Sequence, residues 1–388
     1  MIRMLNAYTR EIDYAEDAVA EILPQLGLEK NLLKHSVAII TCCSDFVGTG
    51  VVEAICKLLP FDAVGCTTLG NASPGNYGLD GLAVAVLTSD DAEFSTALSA
   101  DVTAENYPKA LADVYMKAKE NVRGKPVCAF TFLPIFNNIS GADMLRVLND
   151  ITDRGVPLFG GLACSQNLDN TDTAVIYNGR TLPDAAAVIL VHGNAETRFF
   201  VTSIPDDYVQ KKQGTVTDSN GYTVKRIEGL PVLEYLKSLG ISSDTAINTP
   251  TSTVFMIETE QGMQRTAVAT YHFDPDGGVL CGAEVPTGSK LSIGKIKYDG
   301  VVSTAAKTLQ EILDDKNGGV AIMFPCLTRN FMLVTDPDAE LRLVNATLGN
   351  KIPYILTYGG GEICPVYGAD GRIVNKFHNY TFTACLLR

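Results

Sequence analysis

The sequence predicts a mixed α/β fold: two domains of helix-covered mixed β-sheet built on an internal βαββ-type repeat. Three observations predict it. The same local order is written three times, apolar strands alternate with single amphipathic helices, and the crossovers are long enough for parallel pairing. The copies open on the apolar runs Val37–Cys42, Val127–Phe132 and Val320–Pro325. Each continues through an irregular stretch, a helical stretch and a second apolar strand that runs into small residues. Those exits are Gly65–Gly70, Phe159–Cys164 and Tyr358–Ile363, and the closing strands are Leu82–Leu87, Ala185–Val191 and Thr381–Leu387. Repetition of a whole unit says more than a short motif. It describes a duplicated scaffold whose function sits in its turns.

The elements follow in order from periodicity. Between Asp13 and Leu26, Ala15, Ala18, Val19, Ile22 and Leu26 recur at helical spacing, and Pro24 to Gly27 mark the stop. In the first copy Val51, Val52, Ile55, Leu58 and Leu59 form a helical face, followed by strands over Phe61–Cys66, Leu82–Leu87 and Ala92–Leu98. A helix from Glu105 to Asn121 leads into the second copy, where Met144, Leu145, Val147, Leu148 and Ile151 make the next face. Thr173–Tyr177 followed by Asn178-Gly179 predicts a hairpin, because these two residues accept the positive φ of a type I′ turn. Turn formers and charges cluster between Pro205 and Gly221, which places the domain seam there, with domains over 1–215 and 216–388. Beyond it come a strand over Val224–Ile227, a helix over Pro231–Leu239, strands over Thr253–Ile257, Ala267–Tyr271 and Lys290–Ile296, and a helix over Val301–Leu313.

Composition excludes several classes. A chain of 388 residues, 46% hydrophobic, is long enough for two or three cores. Its net charge of −13 and its lack of a basic stripe argue against a nucleic-acid partner, whose phosphates need clustered Lys and Arg. The first ten residues hold no continuous apolar segment of a secretory signal, and no stretch reaches the roughly 18 apolar residues of a spanning helix. No membrane insertion is expected. Ten cysteines without framework spacing, mostly inside apolar strands, suit a reducing cytoplasmic setting.

The polar constellations concentrate in the third copy. Gly359, Gly360 and Gly361 precede Glu362, so backbone can approach a ligand closely beside a carboxylate; the bland alternative is a tight turn with a solvated Glu362. Their spacing is neither a phosphate loop nor a dinucleotide turn. Cys326–Asn330 follows a strand end where open α/β sheets tend to bind ligands. Arg329 there offers a carboxylate fork, or else an internal partner for Glu362. His378 and Asn379 precede the last strand and can present an imidazole and an amide to the same pocket. Cys326 with His378 and Glu362 is also a workable nucleophile set. The four histidines are scattered and no Cys-x-x-Cys occurs, so no metal site is expected.

These landmarks carry a resemblance. Asn6–Thr9 before the first helix, Phe61–Gly70 and Pro157–Ala163 resemble the N-terminal half of the FIST family, the F-box and intracellular signal transduction proteins. Phe324–Arg329, Gly361–Ile363 with Pro365, and His378–Thr381 resemble the C-terminal half. The resemblance implies a sensory, small-ligand-binding module of bacterial signal transduction, with amino acids among the proposed ligands and haem in some relatives. It also implies an output such as a histidine kinase or chemoreceptor. The two halves take up this chain, so the output is expected on a separate partner.

The leading expectation is therefore a cytoplasmic sensor rather than an enzyme. Arg329 would hold a ligand carboxylate, Glu362 an amine, and His378, Asn379, Gly360, Gly361 and Cys326 would complete the pocket. No catalytic residue is assigned and no cofactor is required. The alternatives are a haem-bound nitric-oxide sensor with His378 or His192 as axial ligand, and a thiol-dependent hydrolase or transferase using Cys326.

Overall fold

In the computed structural model the described residues are all except 121, 123, 137–138, 153–154, 168–170, 244–245, 247–252, 259–264 and 369–370. The chain is mixed α/β, and the βαββ repeats are real. Each copy contributes four strands to its own sheet, in the order edge strand, closing strand, first strand, second strand. For the first copy these are Arg3–Thr9, Leu82–Ser89, His35–Cys42 and Ala63–Thr67. For the second they are Ala92–Leu98, Ala187–Gly193, Cys128–Leu133 and Leu158–Leu162. For the third they are Thr197–Thr202, Phe382–Leu387, Val320–Pro325 and Tyr354–Thr357. First and second strands pair in parallel in every copy, as the helical crossover between them requires.

The copies are tied by exchange. Each second strand runs on into a short hairpin that pairs with another copy's sheet. Asn71–Ser73 and Asn76–Gly78 extend the third sheet, Val175–Tyr177 and Arg180–Leu182 the first, and Glu362–Tyr367 with Ile373–His378 the second. One donates to three, two to one, three to two, so the sheets close a cycle. The Asn178-Gly179 turn is as expected, with φ of 49° and 84°.

The inner faces of the three sheets share one core. Ile39 and Val64 come from the first sheet, Phe130, Phe132 and Phe159 from the second, and Ile322, Phe324 and Ile355 from the third. Phe324 meets Phe132 and Phe159 edge-on, at centroid separations of 6.1 and 5.6 Å. Outer faces are covered by helices: Ala15–Leu26 and Val51–Lys57 on the first sheet, Tyr107–Glu120 and Gly141–Ile151 on the second, Tyr298–Leu313 and Ala339–Leu348 on the third. The first helix buries Ala18, Ile22 and Leu26 and stops where Gly27 turns left-handed, its N–H returning to Leu23 O. The helix expected from Glu105 to Asn121 runs from Tyr107 to Glu120; Asn121 lies outside the described residues.

The third copy differs in one respect. Between its edge strand and its first helix stands an inserted seven-stranded sheet, from Val209 to Lys295, with its own core around Tyr235, Phe255 and Ile293. The region between Pro205 and Gly221 is the entry to this sheet, and the division at residue 215 falls within the strand Val209–Asn220.

Candidate functional site

Arg329 sits on the short helix Leu327–Phe331 and is 2% exposed. Its fork is occupied. Nη2 and Nε donate to Glu340 Oε1 at 2.6 and 3.0 Å, and Nη2 also reaches Val301 O at 2.8 Å and Thr304 Oγ1 at 3.0 Å. Tyr358 donates its hydroxyl to Glu340 Oε2 at 3.0 Å. The guanidinium, expected on a ligand carboxylate, thus serves a buried ion pair that joins two helices of the third copy. The cation stacks over Phe382, 5.6 Å from its centroid.

The three glycines bring backbone together rather than leaving donors open. Gly359 N–H donates to Pro325 O and Gly360 N–H to Leu162 O, both at 2.9 Å. At Gly361 φ is 137°, and a Cβ would stand 2.3 Å from Phe377 Cζ, so no other residue fits. The equivalent exits join in the same way: Thr68 Oγ1 donates to Tyr358 O at 2.8 Å and Cys164 N–H to Thr67 O at 3.2 Å. The three crossovers therefore knot together at one end of the core.

Glu362 is wholly buried, against the solvated alternative. Its Oε2 accepts from Thr381 Oγ1 at 2.8 Å, while Oε1 has no hydrogen-bond partner in the chain. Burial raises its pKa well above the usual carboxylate range and outweighs the opposing help of Thr381, Cys326 and Arg329. Burial thus favours the protonated acid over the carboxylate. The Cys326 thiol beside it is likewise held protonated, by burial and then by Glu362, and its sulfur lies 3.0 Å from Thr328 Oγ1. That environment disfavours the thiolate a nucleophile needs.

His378 lies directly across the hairpin from Glu362. Its Nε2 is 2.9 Å from Cys364 O, and burial depresses its pKa to about 4, so the ring is neutral and Nε2 donates. His192 is also buried, its Nε2 3.3 Å from Ser95 Oγ. Rings packed inside sheets with Nε2 engaged do not fit an axial haem ligand. Among the described residues no group of three His, Cys, Asp or Glu could hold a metal ion.

Asn379 ties the inserted sheet down: its Oδ1 accepts from Ala269 N–H at 3.2 Å and its Nδ2 donates to His378 O at 2.8 Å. From that sheet comes Tyr271, which sequence reasoning missed. The residue is 43% exposed, yet its hydroxyl lies inside, near Gly282 and Asn379, and its pKa is raised by burial and then by Cys326 and Glu362. The structure thus brings Glu362, Cys326, His378 and Asn379 together beneath the inserted sheet. Arg329 stands behind them on Glu340. Where the inserted sheet leaves and rejoins, a cavity of about 10 Å³, room for one water, is lined by Ser203, Tyr208, Lys297, Arg329 and Tyr380.

Glu362 has two structural counterparts. It lies opposite Gly161 on the receiving sheet, as Asn71 lies opposite Thr357 and Val175 opposite Cys66. Those three receivers occupy one place in their copies, since Ala38 pairs with Ala63, Ala129 with Leu158 and Ala321 with Tyr354 in parallel register. The handover position is an acid, an amide and an aliphatic residue in turn.

The fold is a cyclic three-repeat α/β scaffold with a closed cluster of buried polar groups under an inserted sheet. The chain belongs to the FIST family: residues 36–230 match the FIST N domain and residues 232–365 the FIST C domain. Both halves are mixed α/β, and the family is one of sensory domains. No curated protein matches the chain. Two solved structures align over nearly the whole length of both chains. One is a cyanuric acid hydrolase described as an innovation by structural concatenation, 11% identical, covering 99% of this chain and 98% of its own, with a TM-score of 0.39. The other is the cyanuric acid hydrolase of A. caulinodans, 10% identical, covering 100% and 98%, with a TM-score of 0.35. No helix of the described residues is long and apolar enough to cross a membrane.

Proposed function

We propose that this FIST protein senses a small amine, an amino acid being the leading class, at Glu362, and passes the signal to a separate output protein such as a histidine kinase or chemoreceptor. One observation carries the reading: a fully buried carboxyl with an unpartnered Oε1, beneath the inserted sheet. A neutral acid in that place is costly unless something complements it. An ammonium group arriving at Oε1 favours the carboxylate, so the Glu362 proton leaves for solvent as the ligand enters. Cys326, His378 and Asn379 orient the ligand, with Gly360 and Gly361 as its backbone wall. Entry parts the seam at Asn379 and Tyr271 and shifts the inserted sheet, which is the element a partner reads.

Titration calorimetry with a panel of amino acids tests this in two buffers of different ionisation enthalpy. Binding should release close to one proton per ligand near neutral pH, and Glu362→Gln should abolish that release and weaken binding at least tenfold. Binding with no buffer dependence, or unchanged by the substitution, removes Glu362 from the site.

A further inference from the structure

The first repeat carries unpartnered polar atoms at the place that corresponds to Glu362. Asn71 is fully buried and spends both hydrogens of its Nδ2 on main-chain carbonyls, Thr41 O at 2.9 Å and Gly81 O at 3.0 Å. That fixes the amide's orientation. Its Oδ1 points elsewhere and has no partner. Three more buried atoms share that state: Thr41 Oγ1, Thr357 Oγ1 and the Tyr8 hydroxyl.

These atoms converge. Thr357 lies directly opposite Asn71 in the third sheet, and Tyr8 and Thr41 both lie opposite Ala83 in the first. Alternation places all four toward the common core: Tyr8 and Ala83 belong to it, and Thr41 and Thr357 stand two residues beyond its members Ile39 and Ile355. The Tyr8 hydroxyl reaches the Gly81 whose carbonyl Asn71 holds, where a Cβ on Gly81 would meet it at 2.0 Å. Native interiors leave few such atoms unpaired, and four in one place is a concentration that packing does not explain.

The four groups also define what would satisfy them. Asn71 Oδ1 accepts only, so it needs an N–H or O–H donor; the three hydroxyls can donate or accept. None of the four is ionised at neutral pH. At the rim, the Arg10 guanidinium lies 5.7 Å from the Tyr8 ring centroid, and its charge is met by Asp80 at 3.0 Å. A groove lined by Tyr8, Arg10, Glu21 and Asn76 opens at the same strand end. We infer that Tyr8, Thr41, Asn71 and Thr357 form a second binding site, between the first and third sheets, for a small neutral molecule of amide or urea type.

The experiment uses the full chain and acetamide as probe. Saturation-transfer NMR should show transfer to acetamide with the wild type. The signal should fall at least fivefold with Asn71→Val, which installs the residue type of the second repeat, and with Thr357→Val, and should persist with Glu362→Gln. Wild-type crystals soaked in acetamide should show the molecule against Asn71 Oδ1. Undiminished transfer in an Asn71→Val protein that keeps its native near-UV circular dichroism overturns the site. So does density that holds ordered water only. If Asn71→Val fails to fold, Thr357→Val and the crystal density decide. Loss of the amine response in Glu362→Gln with this site intact separates the two readings.

Discussion

At the position where a repeat hands its hairpin to another sheet, the third copy buries Glu362 and the second buries Val175. Backbone register is the same, yet one site holds an unpartnered carboxyl oxygen and the other belongs wholly to the apolar core. The contrast teaches that the scaffold does not need a polar group there. An aliphatic residue meets the geometric demand in the second copy, whereas Asn71 adds hydrogen bonds to Thr41 O and Gly81 O and Glu362 accepts one from Thr381.

The comparison can be broken most severely through the ionic support behind Glu362. Arg329→Met strands Glu340 in the interior and should cost about 3–5 kcal/mol in urea unfolding. A loss under about 1 kcal/mol would mean that the pair is not what holds the third copy's helices together. Next in size is the acid limb of the stability profile. The folded-state pKa of His378 is depressed to about 4, so its contribution is present above about 6.5 and lost as pH falls through 4. The loss is roughly 3 kcal/mol, and His378→Gln should flatten that limb in pH-dependent melting.

Grafting the polar state onto the apolar copy sharpens the contrast further. Val175→Asn should destabilise by roughly 2 kcal/mol, because the new amide has no designed partner. Little change would show that this end of the core is wetter than its side chains imply. The last effect, read one pH unit at a time, belongs to Glu362 itself. Its folded-state pKa is raised, so its contribution is present below about 4.5 and is lost as pH rises. Wild type should lose about 1 kcal/mol per pH unit against Glu362→Gln through that window, read from paired denaturation curves.

Much of the scaffold was legible because strands and helices announce themselves locally. The stripe of Ala18, Ile22 and Leu26 and the Asn178-Gly179 turn need no distant information. The exchange of hairpins was hidden, since Asn71 pairs with Thr357 far along the chain and period-2 patterning does not name a partner. Arg329 was recognised as a carboxylate fork, but its partner was missed. A signal existed: Glu340, Val344 and Leu348 lie four apart, so an acid sat on an otherwise apolar helix face. Tyr271 had no comparable mark. Its hydroxyl matters only because the inserted sheet folds back over the hairpin of Glu362, which no local pattern records.

The cyclic exchange also governs how the protein is made. Asn71–Gly78 leaves the ribosome long before its docking strand Tyr354–Thr357 emerges. At ordinary elongation rates of roughly 5–20 residues per second, that hairpin waits some tens of seconds with its edge unpaired. The nascent chain therefore carries sticky β-structure until that strand has emerged, and holdase chaperones are its natural first partners.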